Sequence, residues 1–208
     1  DHHIPYGPAL TNACEFILAN DLTLYDRYAA DWWSGRYRFL RTLQNLVPAR
    51  FTYFDTVVAD WQGLSVLDLG CGGGFMAEAL CERGAQVMGL DPAESAIGVA
   101  RQRASDMGMS IDYRVGIGEA IPAEDASLDV VVCVDVLEHI PQWPQVLAEI
   151  HRVLKPGGVF LFDTINRSWF SRLVAIVLGE YILRILPVGT HDGALFIKPS
   201  ELRSELLA

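Results

Sequence analysis

A short glycine-rich segment carries the clearest chemical signal in this sequence. The run VLDLGCGGG covers residues 66–74, so an apolar strand containing Asp68 is followed by glycine at the alternate positions Gly70, Gly72 and Gly74. Glycine adopts positive φ readily and has no side chain, so the backbone of such a loop can approach a ligand closely. Glycine-rich loops also occur as plain turns. The segment is therefore either a ligand-binding loop or a structural turn.

The glycine spacing differs from that of a dinucleotide-binding loop. The fingerprint G-x-G-x-x-G would need its third glycine at position 75, where this chain has Phe75. The pattern D-x-G-x-G-x-G instead resembles motif I of class I methyltransferases that use S-adenosyl-L-methionine (SAM). A pyrophosphate is bound by the free amides of a helix N-terminus. SAM has no phosphate, and its cationic amino group can be met by Asp68.

A second acidic residue follows the next predicted strand. The strand-like run QVMGL, residues 86–90, ends in Asp91, seventeen residues after Gly74. An acidic residue at this strand end accepts the ribose hydroxyls of a nucleoside in doubly wound folds. Asp91 also suits the start of a helix, because Pro92 follows it. The two roles are compatible, since a carboxylate has two oxygens, and we expect Asp91 to bind ribose.

Composition and charge narrow the class of protein. The 208 residues are enough for one domain with appendages, and the net charge of −10 argues against a nucleic-acid partner, which needs a basic surface. The four cysteines are scattered and include no C-x-x-C pair, which is typical of a reducing compartment rather than of a disulfide framework or a zinc site. They are Cys14, Cys71, Cys81 and Cys133. No targeting signal is evident, so we expect a cytoplasmic location.

The order of predicted elements indicates an α/β fold. Strands are predicted over residues 65–69, 86–90, 111–115, 128–134 and 159–164, and helices over residues 75–84, 95–107 and 143–154. Alternating units of this kind predict a doubly wound, mostly parallel sheet with helices on both faces. Ligands of such sheets bind at the carboxyl ends of the strands.

The chain divides into four predicted parts. Residues 1–62 form an aromatic-rich helical cap over the cofactor cleft, with Leu24, Tyr28 and Trp32 on one face, and residues 63–164 form the SAM-binding core. Residues 165–199 form a hydrophobic lid, and residues 200–208 begin a C-terminal part. Methyltransferases of this class close the sheet with a strand hairpin after the helix near Pro199, and that hairpin pattern is missing from this sequence.

Several longer segments resemble one family, the ubiquinone-biosynthesis O-methyltransferases. The resemblance runs through ADWW at 30–33, GLD at 89–91, VCVDVLEHIP at 132–141, LKPGG at 154–158, TINR at 164–167 and GEYILRILPVGTHDGALFIKPSEL at 179–202. It implies methyl transfer from SAM to a phenolic or catechol hydroxyl of a polyprenylated quinone precursor. The alternative is a methyltransferase acting on another small phenol, carboxylate or amine. The oligomeric state is left open.

The resemblance also implies which residues contact the cofactor. Gly70 and Asp91 match SAM contacts of the family, Arg50 matches a basic residue near the methionine carboxylate, and Val134 matches a backbone contact. The predicted SAM site therefore comprises Arg50, Asp68, Gly70, Gly72, Gly74, Asp91 and Val134.

Asp135, Glu138 and His139 form the predicted catalytic group. Residues at i, i+3 and i+4 share one face of a helical turn, so the two carboxylates and the imidazole can converge. The group could hold Mg²⁺ or Zn²⁺ that bridges the two catechol oxygens and lowers the pKa of the phenol. His139 could instead act alone as a general base, or the turn could be structural. The family has Glu at position 135, so Asp135 keeps the charge and loses one methylene.

The segment 168–186 predicts a lid that touches the membrane. Its seven uncharged residues between Arg172 and Glu180 are far fewer than the ~20 that a span requires. Arginines and aromatic residues around this segment are typical of a helix that lies on an anionic bilayer. They are Arg167, Trp169, Phe170, Arg172, Tyr181 and Arg184. A lid over the substrate pocket or a protein interface would explain the same residues. Among these alternatives we expect a lid that also contacts lipids peripherally at the inner face of the membrane, because a polyprenyl substrate resides in the bilayer.

Overall fold

The fold is organised around a parallel sheet. The computed structural model describes residues 23–173, 190 and 192–207, and all statements below concern these residues. The strands are β1 (Ser65–Leu69), β2 (Gln86–Asp91), β3 (Ile111–Val115), β4 (Leu128–Val134) and β5 (Leu154–Asp163). They pair in parallel in the order β3-β2-β1-β4-β5. The predicted doubly wound α/β fold is confirmed.

The helices lie on both sides of this sheet. They are α1 (Thr23–Tyr28), α2 (Arg38–Val57), α3 (Phe75–Glu82), α4 (Glu94–Asp106), α5 (Trp143–Val153), α6 (Trp169–Arg172) and α7 (Pro199–Leu206), with 3₁₀ turns at Ala29–Asp31 and Leu137–His139. Helix α5 shows why the sequence folds in this way. Its apolar residues recur with a helical period, and Val146, Ile150 and Val153 are each at most 2% exposed.

The strands separate two hydrophobic cores. Alternate residues of a strand point to opposite faces of a sheet, and β4 follows this rule. Val130, Val132 and Val134 pack in the core that contains α3 and α4, whereas Val131 and Cys133 pack in the core that contains α5. Burial on both faces explains why β4 is a continuous apolar run.

The last strand differs from its prediction. The sequence indicated a strand over residues 159–164 preceded by a break at LKPGG, but β5 begins at Leu154 and ends at Asp163. The pairing of β4 with β5 shifts register between Leu128 and Val130, and Gly157 has φ +80°. The glycines therefore form an irregularity within the strand instead of ending it.

The strand order places the ligand crevice. Strand β1 lies between β2 and β4, so the connection after β1 and the connection after β4 leave the sheet on opposite sides. A crevice opens at such a switch point, outside the carboxyl ends of the strands. Asp68, Asp91, Asp135 and Asp163 all lie at or next to these ends.

Candidate active site

A cavity of about 360 Å³ lies at the carboxyl ends of β1, β2 and β4. Its wall contains most of the residues singled out from the sequence, namely Arg50, Asp68, Gly70, Gly72, Asp91, Val134, Asp135 and His139. Two others, Gly74 and Glu138, lie outside this wall. The fold therefore brings six of the seven predicted cofactor residues and two of the three predicted catalytic residues to a single cavity.

The glycine loop is held against β2 and leaves no room for side chains. The backbone N–H groups of Gly70 and Cys71 donate to the carbonyl of Leu90 at 2.8 and 3.2 Å. Gly70 and Gly72 have φ of +75° and +50°, and a Cβ on Gly72 would lie 2.5 Å from the Trp32 ring. Glycine is required here by backbone conformation and by close packing alike.

Gly74, predicted to be part of the SAM site, lies where the glycine loop enters the next helix. Its φ is +98°, and a Cβ there would lie 2.3 Å from the Tyr113 hydroxyl. Helix α3 begins at the next residue, Phe75. Gly74 therefore allows the chain to turn closely past Tyr113 into α3.

Asp91 joins the loop to the next helix through both carboxylate oxygens. Oδ2 accepts the N–H of Gly72 at 2.8 Å, and Oδ1 accepts the N–H of Ala93 at 2.8 Å. Burial raises the pKa of Asp91, and these two hydrogen bonds oppose the rise. Each oxygen keeps a further lone pair, so a ribose hydroxyl can still be accepted.

Asp68 is buried with one oxygen unpartnered. The residue is 1% exposed, and its Oδ2 has no hydrogen-bond partner among the described residues. Burial is the largest cause that raises the pKa of Asp68 to about 7, and the neighbouring Asp91 adds to it. An unpaired buried carboxylate is costly, so a cationic ligand group in the cavity would relieve that cost.

Arg50 is fixed by two carboxylates at the cavity wall. Its Nε donates to Asp163 Oδ2 at 2.6 Å, and its Nη2 forms an ion pair with Asp135. The Arg50 side chain is only 10% exposed. Burial acts to lower the pKa of Arg50, but Asp135 and Asp163 outweigh it and the pKa is raised. The guanidinium therefore stays charged beside the cofactor residues.

The predicted catalytic residues lie on an unusual turn. Asp135 has φ +55°, a left-handed conformation that is rare for a residue with a side chain, and it is followed by a 3₁₀ turn. His139, 6% exposed, faces the cavity wall, whereas Glu138 is 1% exposed and lies behind it. Glu138 Oε2 accepts the Thr164 hydroxyl at 2.8 Å, and burial raises the pKa of Glu138 to about 8.

This arrangement does not form the predicted metal site. No group of three or more His, Cys, Asp or Glu side chains in the described part of the chain is placed to hold a metal ion. The prediction assumed an α-helical face, but the turn is 3₁₀, Asp135 is paired with Arg50, and Glu138 is turned towards Thr164. Asp135, Glu138 and His139 as arranged do not fit Mg²⁺ or Zn²⁺.

The sequence predicted an N-terminal cap over the cleft but did not indicate which of its residues form the cavity wall. Tyr25 and Trp32 line the cavity, and the Trp33 Nε1 donates to the carbonyl of Gly73 at 2.9 Å. The Trp32 ring covers Gly72 and Gly73, and its Nε1 has no partner among the described residues. The paired tryptophans were a visible signal, but nothing local indicated that they reach the glycine loop.

Comparison with known proteins finds relatives that match most of the chain. A methyltransferase-domain family matches residues 67–162. A ubiquinone biosynthesis O-methyltransferase from Leptothrix cholodnii is 42% identical over 184 residues, which is 88% of this chain and 78% of the relative. One from Hahella chejuensis is 43% identical over 193 residues, 92% of this chain and 80% of the relative.

A solved structure shares the fold. Magnesium protoporphyrin IX methyltransferase from Synechocystis, solved with bound SAH, matches with a TM-score of 0.67 over 88% of this chain and 82% of that one. The two sequences are 18% identical, so the likeness concerns the fold alone.

Proposed function

The chain belongs to the ubiquinone biosynthesis O-methyltransferases, and from this premise we infer that it methylates a phenolic or catechol hydroxyl of a polyprenylated quinone precursor. SAM is the methyl donor. The observation that carries the inference is the buried, unpartnered Oδ2 of Asp68 in the wall of a cavity that Asp91 and the glycine loop also line. A cationic amino group attached to a nucleoside matches these groups.

We propose that each polar group of the wall holds one part of the cofactor. When bound, SAM supplies an electrophilic methyl group on a positively charged sulfur. Asp68 pairs with the amino group, and Asp91 accepts the ribose hydroxyls. Arg50 binds the carboxylate with the N–H groups that are not engaged by Asp163 and Asp135. Gly70, Gly72 and Val134 let the cofactor lie against the backbone.

The remaining wall suits an aromatic acceptor. Val136, Ile140 and Pro141 are apolar residues of the cavity wall that also contains His139. We propose that a ring nitrogen of His139 takes the proton of the acceptor hydroxyl, because a phenol attacks as its oxyanion.

A divalent ion at Asp135, Glu138 and His139 stays a prediction. Binding it would require Asp135 to share its carboxylate with Arg50. Glu138 Oε1 has no partner among the described residues, but Glu138 is 1% exposed and would have to reach the cavity from outside its wall. Dialysis against EDTA tests it directly. Activity that disappears and returns with Mg²⁺ or Zn²⁺ would support the ion, whereas unchanged turnover, with metal content measured on the same sample, would refute it.

We propose peripheral contact with lipids through the segment that contains α6. Trp169 and Phe170 are 77% and 60% exposed and pack edge to face. Arg167 forms an ion pair with Glu201, so its charge is partly engaged within the chain. The lid residues 174–189 lie outside the described part of the chain, within which no helix is long and apolar enough to cross a bilayer.

Vesicle sedimentation tests this contact. Trp169→Ser with Phe170→Ser should reduce binding to anionic vesicles, because aromatic rings partition into the interface. The matched control is Tyr53→Ser, which removes another aromatic side chain, 65% exposed, from α2. Equal binding by the two variants, or no binding by the parent, would refute the proposal.

The function itself is tested with a panel of acceptors. The parent enzyme and SAM are incubated with a polyprenylated catechol, a matched mono-phenol, a carboxylate and an amine, and SAH formation is measured. We expect turnover of the catechol and a lower rate without the prenyl chain, which the apolar wall would bind. Turnover of the amine or the carboxylate alone would favour the alternative methyltransferase.

A further inference from the structure

Asp163, at the carboxyl end of β5, uses its two oxygens for two different parts of the site. Oδ1 accepts the backbone N–H of Asp135 at 2.8 Å, and Oδ2 accepts Arg50 Nε at 2.6 Å. Asp163 itself is not part of the cavity wall. This one carboxylate, whose side chain is 41% exposed, therefore contacts a residue of the proposed cofactor side and a residue of the proposed catalytic side.

The contact with Asp135 supports a strained position. Asp135 has φ +55° and begins the turn that carries His139. A residue with a side chain adopts this conformation only when its surroundings impose it. The Asp163 carboxylate does so by accepting the Asp135 N–H, while the Asp135 side chain is held by Arg50.

The contact with Arg50 fixes the direction of the guanidinium. Arg50 comes from α2, 113 residues before Asp163 in the chain. With Nε on Asp163 and Nη2 on Asp135, two of the five N–H groups are committed and the plane of the guanidinium is set. The direction in which the other N–H groups point is then determined.

We propose that Asp163 is a positioning residue for methyl transfer, which aligns Arg50 for the cofactor carboxylate and holds the Asp135–His139 turn in its reactive shape. It acts through these residues and does not touch the reacting atoms. The assignment rests on the proposed function, since it takes Arg50 as a cofactor ligand and His139 as the base.

Two variants separate the two contacts. Asp163→Asn keeps an oxygen for the Asp135 N–H but removes the charge beside Arg50, whereas Asp163→Ala removes both. Asp163→Asn should therefore weaken SAH binding and raise KM for SAM by about ten- to a hundredfold, the usual effect of losing a charged hydrogen bond, with a smaller change in kcat. Asp163→Ala should also lower kcat, by about tenfold or more, because the turn loses its support.

Asp129 offers a matched control at the opposite edge of the sheet. Its Oδ2 accepts the Ser65 N–H at 2.9 Å, and its Oδ1 accepts Lys155 Nζ at 2.7 Å. The residue thus repeats the bonding of Asp163, to one backbone N–H and one cation, at the amino ends of the strands. Asp129→Asn should lower thermal stability and leave SAH affinity and kcat unchanged.

The measurements are SAH binding by calorimetry, kcat and KM with SAM, and thermal unfolding. The proposal is supported if Asp163→Asn weakens mainly SAH binding, whereas Asp163→Ala weakens SAH binding and also lowers kcat. SAH affinity and kcat within twofold of the parent in Asp163→Asn would overturn it, even if Asp163→Ala does not fold. Calorimetry keeps this test separate from the proposed function, since SAH binding is measured whether or not the panel of catechols is methylated.

Discussion

Replacing Asp68 by Asn should stabilise the ligand-free protein and lower its affinity for the cofactor. The carboxyl of Asp68 is buried, and its pKa is raised from its ordinary value of 3.8 to about 7. Because the folded chain keeps this proton to a higher pH than the unfolded chain, the folded state binds more protons between the two values. Stability therefore falls as pH rises through this window and levels off above about pH 7.

The size of the effect follows from the same two values. The rise from 3.8 to about 7 corresponds to roughly 4 kcal/mol at about 1.36 kcal/mol per pKa unit. In Asp68→Asn the amide oxygen can accept the Ala77 N–H, but the NH₂ group then replaces the unpartnered Oδ2. Burying that group costs about 1–3 kcal/mol. The variant should thus gain about 1–3 kcal/mol above pH 7.

Chemical unfolding at several pH values measures the difference. Of the interval between the ordinary and the raised pKa of Asp68, about two pH units lie above pH 5. From about pH 5 to 8 the unfolding free energy of the parent should therefore fall by roughly 3 kcal/mol more than that of the variant. SAH affinity should fall by about ten- to a hundredfold in the variant, because the amino group loses its charged partner. If the stability of the parent and of Asp68→Asn depends on pH in the same way, the raised pKa of Asp68 is refuted. Unchanged SAH affinity would remove Asp68 from the cofactor site.

Asp129→Asn is a control, because the contribution of Asp129 to stability should depend on pH in the opposite direction to that of Asp68. Hydrogen bonding to Lys155 and to the Ser65 N–H lowers the pKa of Asp129, so its carboxylate stabilises the fold above the unfolded pKa. That stability is lost as pH falls through the lowered value. The Asn variant should therefore be less stable than the parent at neutral pH, and the difference should shrink in acid.

Three further substitutions test the site. Asp91→Ala should weaken SAM binding by roughly 1–3 kcal/mol in calorimetry, because the ribose hydroxyls and the Gly72 N–H lose an acceptor; unchanged affinity would place the ribose elsewhere. Gly72→Ala should lower the melting temperature and SAM affinity, since its Cβ would meet Trp32 at 2.5 Å, whereas Gly98→Ala, with open space around it, should do neither. His139→Ala should lower kcat by about a hundred- to ten-thousandfold with SAM affinity retained; full turnover would make the turn structural.

Local chemistry made much of the core predictable. The alternating elements indicated the parallel sheet, and the acidic residues after the strands indicated the edge at which the cavity lies. The error at β5 has a local cause. A glycine pair predicts the boundary of a secondary-structure element, even where a strand continues through it. The metal prediction, which stays a prediction, also rested on local spacing. The spacing of Asp135, Glu138 and His139 was taken as α-helical, but the turn is 3₁₀, Asp135 is paired with Arg50, and Glu138 lies outside the cavity wall.

Sequence alone determined the glycine loop, the carboxyl ends of the strands and the family, because these depend on residues that are neighbours in the chain. Tertiary structure alone decided that Arg50 meets Asp163 across 113 residues and that Trp32 covers Gly72. Such contacts depend on sheet register and on where α2 packs, neither of which leaves a periodic pattern in the sequence. The same packing decides that His139 faces the cavity while Glu138, its neighbour, is buried behind it with a raised pKa.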